Sequence, residues 1–256
     1  MEALTVPPTQ GPIDTPERGP LEATWLGRRP YRQVWALQKE LALARADGTI
    51  GDRLLLVEHP AVLTLGRHAD DAHVRARPEE LAARDIEVIR VERGGEVTYH
   101  GPGQLVAYAI LALARRGILL RPLVRALEAA MADTCEAFGV AAGRREGHPG
   151  CWIEPDGVRP RKVGALGIRV ERGVSYHGIA LNVAPDLRDF DLIDACGMPD
   201  VVSTSIEREL GRSAPTTQGV ERAARVFAQR FAARIGVPLA GFGADTAHLE
   251  TLALVG

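Results

Sequence analysis

Three long stretches of the sequence carry apolar residues at the spacing of an amphipathic helix. In residues 31–46 the apolar side chains recur every three or four positions, and Asp47-Gly48 then provides a typical helix end. Residues 121–138 and residues 217–235 show the same periodicity. The sequence therefore predicts three long helices, one near each end of the chain and one in the middle.

Shorter apolar and β-branched runs between these helices predict strands. Residues 86–92 alternate between apolar and polar positions, as a half-buried strand does. Residues 96–100 and 104–113 flank a Gly-Pro-Gly turn and predict a hairpin. Residues 162–183 predict two long strands that meet at a turn at Arg172-Gly173.

The order of these elements mixes hairpins with helices and does not alternate strictly between strand and helix. It predicts an α/β (α+β) fold with a mainly antiparallel or mixed sheet flanked by helices. We expect one domain over residues 21–237, because its composition shows no break. Residues 1–20, rich in proline and glycine, are expected to form a disordered extension, and residues 238–256 a C-terminal tail.

Composition and charge narrow the functional classes. Of the 256 residues 46% are hydrophobic and 25% are charged, with a formal net charge of −2. This balance gives no basic field for nucleic acid, and no apolar run reaches the length of a membrane span. The first twenty residues lack the basic and apolar regions of a secretory signal, and three scattered cysteines do not suggest a disulfide framework. We expect a cytoplasmic protein with reduced thiols.

The basic residues are unevenly divided. Of 31 basic residues only Lys39 and Lys162 are lysine, and the chain has a single asparagine, Asn182. This bias carries no function by itself. In a chain that uses arginine nearly everywhere, however, each lysine is a candidate for a position that arginine cannot fill, because a guanidinium cannot release its proton.

Residues 93–104, RGGEVTYHGPGQ, interrupt the predicted strand pair with glycines. Glycines at such a place allow a backbone to approach a ligand closely. The segment is neither a phosphate-binding loop nor a dinucleotide fingerprint, because it lacks Gly-Lys-Ser/Thr and no helix follows. A bulged hairpin with its turn explains the same pattern equally well.

Lys162 begins a strand whose interior holds Gly164 and Gly167. Glycines weaken strand pairing, so they indicate a close partner such as a ligand or another backbone. Lys162 itself fits two interpretations, a charged residue that protects an exposed sheet edge and a catalytic amine. The scarcity of lysine makes these two about equal.

Two Tyr-His-Gly triplets, ending at Gly101 and Gly178, each follow a strand-like run. Histidines in matching positions would flank one site, although coincidence also explains the match. A metal site is poorly supported, because His148 and Cys151 form at most half of one and no second ligand pair follows at zinc spacing.

Cys196 lies in a predicted loop, within Asp-Ala-Cys-Gly-Met-Pro, and is a candidate nucleophile. A packed loop thiol is the plainer interpretation. A reactive Cys196 would need a cationic neighbour to lower its pKa. Cys135 and Cys151 fall within a predicted helix and a predicted strand, where cysteine packs as a small apolar residue.

Four segments taken together, in this order, resemble a known family. They are RGGEVTYHGPGQLVAY, RKVGALGIRV, YHGIALNV and CGM. The combination resembles the octanoyltransferases of lipoate biosynthesis, over roughly residues 21–236. The resemblance implies a fold similar to that of the biotin and lipoate protein ligases. The sequence departs from the common family pattern at Gly164, where alanine is usual, and at Ala195, where proline is usual.

The resemblance also implies functional residues. It assigns Cys196 as the nucleophile and Lys162 as its partner. The residues that it implies for the substrate site are Arg93, Gly94, Gly95, Glu96, Val97, Thr98, Tyr99, His100, Ala165, Leu166, Gly167, His177, Gly178 and Ile179.

The implied reaction transfers an octanoyl group from octanoyl-acyl carrier protein to one lysine of a lipoyl domain, through a thioester on the cysteine. The implied acceptors are the lipoyl domains of 2-oxoacid dehydrogenase E2 subunits and the glycine cleavage H protein. No metal, nucleotide or redox cofactor is expected, and neither nucleic acid nor membrane is an expected partner. A monomer fits the family.

Two other functions remain open from the sequence. An ATP-dependent lipoate or biotin protein ligase of the same fold would also use Lys162 but needs no nucleophilic cysteine. An acyl-binding or carrier-docking protein would use the same pocket without covalent chemistry.

Overall fold

A computed structural model of the chain describes residues 17–194, 201–211 and 217–243. The strands are β1 (Leu21–Arg28), β2 (Arg53–Glu58), β3 (Val62–Leu65), β4 (Glu87–Arg90), β5 (Val97–His100), β6 (Gln104–Ile110), β7 (Gly143–Arg145), β8 (His148–Ile153), β9 (Arg161–Glu171), β10 (Val174–Asn182), β11 (Val202–Ser203) and β12 (Leu239–Gly243). The helices are α1 (Tyr31–Asp47), α2 (Pro78–Ala83), α3 (Leu113–Arg116), α4 (Leu120–Ala137), α5 (Ile206–Glu209) and α6 (Thr217–Arg234). Two short 3-10 helices cover Asp71–His73 and Leu187–Leu192.

A large sheet forms the centre of the molecule, in the order β12-β1-β2-β6-β10-β9-β8-β7, and β11 pairs with β9. The pairs from β2 to β7 along this order are antiparallel. The contacts of β1 with β2 and β12, and of β11 with β9, are parallel. This mixed, mainly antiparallel sheet confirms the predicted fold class.

A second sheet of three strands has the order β4-β3-β5. The predicted hairpin of residues 96–100 and 104–113 is therefore wrong, because β5 pairs with β3 while β6 lies between β2 and β10 in the large sheet. Every residue of β6 is buried. Such a strand has neighbours on both edges and both faces, so neither edge is left for β5.

Helices cover both faces of the large sheet. On one face α4 and α6 pack together over the largest apolar core. On the other face α1 packs on β2, β6 and β10, and it ends at Gly48, whose φ of 78° is the left-handed conformation typical of a helix end. The small sheet has its own core with α2. None of the helices in the described ranges combines the length and apolar composition needed to cross a bilayer.

Both boundaries predicted for the folded domain differ from the structure. Residues 239–243, expected to belong to a tail, form β12 and pair with β1. Before residue 21, the amide of Glu17 donates to the carbonyl of Arg115 and its carboxylate pairs with Arg45, so ordered chain begins earlier than expected. The rest of the predicted extension (1–16) and of the predicted tail (244–256) lies outside the described residues.

Candidate active site

A cavity opens between the large and the small sheet, and we call it the inter-sheet cavity. Its wall includes these residues expected at the substrate site: Arg93, Gly95, Glu96, Val97, Thr98, His100, Ala165, Leu166, Gly167, His177, Gly178 and Ile179. Tyr31, Val106, Tyr108 and Ala180 complete the lining. Segments far apart in sequence thus meet at one place because β5 and β10 belong to facing sheets.

Two residues expected in the substrate site do not line the cavity. The Tyr99 ring packs against Phe190 with its centroid 5.4 Å away, and its hydroxyl donates to Asp189 Oδ2 at 2.6 Å. Neighbouring side chains of a strand point to opposite faces. The Tyr99 side chain therefore points into the core of the small sheet, while the His100 side chain points into the cavity. Gly94 contributes main chain instead, since its amide donates to Ile168 O at 3.1 Å.

The strand glycines permit close contacts within the protein. A Cβ on Gly167 would lie 2.7 Å from the carbonyl oxygen of Gly94, and a Cβ on Gly164 would lie 2.7 Å from Met131 Sδ. The close partner that these glycines predict is therefore a backbone at Gly167 and a core side chain at Gly164. The contact between Gly94 and Gly167 joins the loop between β4 and β5 of the small sheet to β9.

The histidines of both Tyr-His-Gly triplets, His100 and His177, line the cavity. Burial, together with His59, lowers the pKa of His100 to about 3, and its Nδ1 lies 2.7 Å from Gln104 Oε1. Burial also lowers the pKa of His177, whose Nε2 lies 3.8 Å from Glu92 Oε1. Both rings are neutral near neutral pH.

Two tyrosines, Tyr31 and Tyr108, line the same wall. Burial raises the pKa of Tyr31 to about 12 and that of Tyr108 well above its usual value. Behind Tyr108, the ring of His59 lies with Nε2 2.9 Å from the hydroxyl, and burial lowers the pKa of His59 to about 4. These tyrosines were missed from sequence. Tyr31 lies in α1, far from the motifs, whereas Tyr108 lies within the first of them.

Arg93 is a buried cation whose side chain is tied to the small sheet. Its Nη2 donates to Thr64 O at 2.6 Å and to Thr64 Oγ1 at 2.8 Å, and its Nη1 donates to Gly94 O at 3.1 Å. These bonds fix the loop that begins the cavity wall. Arg93 therefore shapes the wall through the protein's own main chain.

Lys162 is buried, with 8% of its surface exposed. Its strand β9 pairs with β10, β8 and β11, so the edge-strand interpretation is wrong. Its Nζ lies 5.1 Å from the centre of the Trp152 ring, within cation–π range. The same strand carries Lys162 and, three to five residues later, Ala165 to Gly167 of the cavity wall.

Cys196 lies outside the described residues, as do Ala195 and the residues up to 200. The chain that follows is described, and there Val202 pairs with Arg161 and Ser203 with Lys162. The two other cysteines, Cys135 and Cys151, are fully buried, as predicted for packed thiols. Within the described ranges, no three histidine, cysteine, aspartate or glutamate side chains are grouped as a metal ion requires.

Comparison with known proteins agrees with the motifs. Residues 30–228 match the family model of the lipoyl protein ligase A/B catalytic domain. The octanoyltransferase of Acidobacterium capsulatum is 48% identical over 216 residues, which cover 80% of this chain and 88% of that one. The octanoyltransferase of Corynebacterium efficiens is 45% identical over 220 residues, with coverages of 85% and 84%.

Solved structures show the same fold at low identity. A bi-partite lipoate protein ligase from Thermoplasma acidophilum aligns with a TM-score of 0.60 at 15% identity, over 93% of this chain and 92% of that one. A lipoate-protein ligase A solved with ATP aligns with a TM-score of 0.63 at 14% identity, over 93% and 94%. The family model and the sequence relatives show that the chain belongs to the octanoyltransferase family, which has the lipoyl protein ligase A/B catalytic domain.

Proposed function

We propose that the chain transfers an octanoyl group from octanoyl-acyl carrier protein to a lysine of lipoyl domains through a thioester on Cys196. The observation that carries this proposal is the placement of Lys162 on the strand that also forms the cavity wall. Lys162 precedes Ala165 by three positions on β9, or roughly 10 Å along the strand. An acyl chain in the cavity would thus lie against the same strand that carries this amine.

The lining of the cavity suits an uncharged acyl thioester. Apolar side chains such as Val97, Val106 and Ile179 offer contact to a hydrocarbon chain. The histidines and tyrosines beside them are neutral at neutral pH, and the cation of the same wall, Arg93, is bonded to Thr64 and to the carbonyl of Gly94. We expect the histidines and tyrosines to orient the thioester while the apolar walls hold the chain.

The first step is attack by the Cys196 thiolate on the octanoyl carbonyl carbon. The bond from that carbon to the carrier sulfur breaks, and the departing thiolate takes a proton from the Lys162 ammonium. The octanoyl group is left as a thioester on Cys196. Because one thioester replaces another, this exchange requires no ATP.

The second step is attack by the amine of the acceptor lysine on that thioester. Neutral Lys162 takes the proton that the amine loses, the bond to the Cys196 sulfur breaks, and an amide forms. This returns both groups to their starting state, Lys162 as ammonium and Cys196 as thiolate. A nearby ammonium also favours the thiolate by charge attraction.

The acceptors in this proposal are the lipoyl domains of 2-oxoacid dehydrogenase E2 subunits and the glycine cleavage H protein. The enzyme would act as a monomer in the cytoplasm, without a metal or redox cofactor. Membrane and nucleic acid have no part in the reaction.

Intact mass spectrometry tests the nucleophile. Incubation with octanoyl-acyl carrier protein in the absence of ATP should add one octanoyl group, and peptide mapping should locate it on Cys196. Cys196→Ala should remove the adduct and the transfer, with Cys151→Ala as the matched control that keeps both. Transfer at the wild-type rate by Cys196→Ala would contradict the assignment.

Lysine exchange tests the proton transfers. Lys162→Arg keeps the positive charge but cannot release a proton, so turnover should fall strongly. Lys39→Arg changes an exposed lysine of α1 in the same way and should leave turnover unchanged. Equal turnover of the two variants would show that Lys162 contributes its positive charge and no proton transfer.

The same fold also occurs in a lipoate-protein ligase A solved with ATP, so a ligase reaction is the second candidate. Free lipoate or octanoate with ATP would then modify the lipoyl domain, while octanoyl-acyl carrier protein alone would not. Tight octanoyl binding without any covalent adduct would instead indicate an acyl-binding protein.

A further inference from the structure

A chain of buried hydrogen bonds starts at the inter-sheet cavity. Arg93 donates to Thr64 Oγ1 at 2.8 Å, and Thr64 Oγ1 lies 3.4 Å from His100 Nε2. His100 is neutral, so its Nδ1–H donates to Gln104 Oε1 at 2.7 Å while Nε2 accepts from the threonine hydroxyl. Each group in this first half donates to the next one, away from Arg93.

The second half leads from the cavity wall to Lys162. Gln104 Nε2 donates to Asn182 Oδ1 at 2.9 Å, and Asn182 Nδ2 donates to the carbonyl of Thr204 at 2.9 Å. The amide of Thr204 in turn donates to the carbonyl of Lys162 at 2.9 Å. The peptide units on both sides of Thr204 are thus engaged, one by Asn182 and the other by Lys162.

Asn182 is the member of this chain that joins its two halves. It is 5% exposed, and it is the only asparagine of the 256 residues. Its short side chain carries one acceptor and one donor group, which meet Gln104 on one side and Thr204 on the other. An aspartate could not make both bonds when ionised, and a leucine could make neither.

Thr204 is also held through its own side chain. Its hydroxyl donates to Glu209 Oε1 at 2.6 Å, and Glu209 forms two bonds of 2.9 and 3.0 Å with Arg161. These bonds attach Thr204 to the residue before Lys162. The orientation of its carbonyl, however, rests on Asn182.

We propose that Asn182 is a positioning residue that holds Lys162 through the main chain of Thr204 and ties it to the cavity wall at His100. This inference rests on the role proposed above for Lys162. Amide side chains do not relay protons readily, so the chain of bonds acts by fixing geometry. A catalytic amine has to stay within hydrogen-bond reach of its partners, and loss of one fixing bond costs activity.

Kinetics test the proposal first. Asn182→Ala removes both bonds, and Asn182→Leu removes them while keeping the volume, so at least one variant should fold. We expect turnover to fall about tenfold, since of the two bonds lost only the one to Thr204 orients Lys162, with the KM for the lipoyl domain unchanged. In a Lys162→Arg background the same changes should add no further loss, because the residue they position no longer exchanges protons.

Ser175→Ala is the matched control. Ser175 lies on the same strand, is fully buried, and its hydroxyl donates to the carbonyl of Ala109 at 2.7 Å. This variant also loses a buried bond to a main-chain carbonyl, but far from Lys162 along β10. Its turnover should equal that of the wild type, and an equal loss in Ser175→Ala would overturn the proposal.

Amine labelling gives a readout that does not depend on octanoyl transfer. The chain has only two lysines, so mapping of labelled peptides reports Lys162 beside the exposed Lys39 as an internal reference. Loosening of Thr204 should raise the labelling rate of Lys162 several-fold and leave that of Lys39 unchanged. Unchanged labelling of Lys162, or an equal rise at both lysines, would overturn the positioning role.

The two proposals can fail separately. If the wild type forms no octanoyl adduct, the proposed function fails, while the labelling rates still decide whether Asn182 positions Lys162. If the adduct forms and the Asn182 variants turn over like the wild type, only the positioning role is wrong.

Discussion

The carbonyl oxygen of Gly94 faces the Cα of Gly167 so closely that a Cβ there would lie 2.7 Å away. This contact joins the loop of the small sheet to the middle of β9. Since both sheets contribute walls to the inter-sheet cavity, the contact fixes how far apart those walls stand.

Gly167→Ala should separate these walls. The added methyl group meets a main-chain atom that cannot rotate away, so the loop at Gly94 has to move. A shift of this kind beside a substrate typically costs roughly ten- to a hundredfold in activity. The measurement is kcat/KM for octanoyl transfer, with circular dichroism to confirm the fold. Gly51→Ala is the control, because its Cβ would meet nothing within 4 Å; equal activity of the two variants would contradict the prediction.

Asp52→Asn should destabilise the domain. The Asp52 carboxylate is fully buried between Arg45, whose Nε lies 2.5 Å away, and Arg116. Loss of its charge takes from the buried Arg116 the carboxylate that it pairs with and leaves Arg45 with Glu17 alone, at a cost of about 3–5 kcal/mol in the free energy of unfolding. Denaturant titration measures this change. Asp47→Asn removes an exposed pair with Arg172 and should change stability by less than about 1 kcal/mol.

His59 makes stability depend on pH. Burial lowers its pKa to about 4 from the usual 6.5, so the unfolded chain takes up a proton at a higher pH than the folded one. The contribution of neutral His59 is thus present above pH 6.5 and is lost as the pH falls towards 4. We expect the free energy of unfolding to decrease over this window, and His59→Gln to flatten the decrease. The exposed His68→Gln should leave the slope unchanged.

Tyr99→Phe tests the position of Tyr99 outside the cavity. The variant loses the hydrogen bond to the Asp189 carboxylate, which should lower the free energy of unfolding by about 1.5–3 kcal/mol. Octanoyl transfer should stay at the wild-type rate, because the ring faces the core of the small sheet. Tyr108→Phe, which changes a cavity residue, should lower the transfer rate. If the transfer rate fell as much in Tyr99→Phe as in Tyr108→Phe, Tyr99 would belong to the substrate site.

Local sequence patterns predicted the long elements well. The helical spacing in residues 31–46 and the Gly48 turn gave α1, and the turn at Arg172-Gly173 gave the β9–β10 hairpin. Both signals lie within a few residues of the structure that they determine. Most of the cavity residues, in contrast, were expected only because the sequence resembles the octanoyltransferases.

Features of the fold that depend on distant parts of the chain could not be predicted from local patterns. The pairing of β5 with β3 in place of β6 depends on which strands lie beside β6, and no local pattern encodes that. Strand β12 is short and most of its residues are exposed. Its sequence therefore lacks the apolar pattern of a buried strand. Likewise, nothing in the sequence around Trp152 indicates that its ring lies beside Lys162.

The pairing of β1 with β12 has a consequence for synthesis of the chain. Leu21 pairs with Leu239, so the first strand obtains one of its two neighbours only from the end of the domain. During translation β1 and β2 leave the ribosome long before residue 239, and one edge of β1 then presents unpaired main-chain groups. Completion of the sheet therefore has to wait until residues 239–243 have been synthesised.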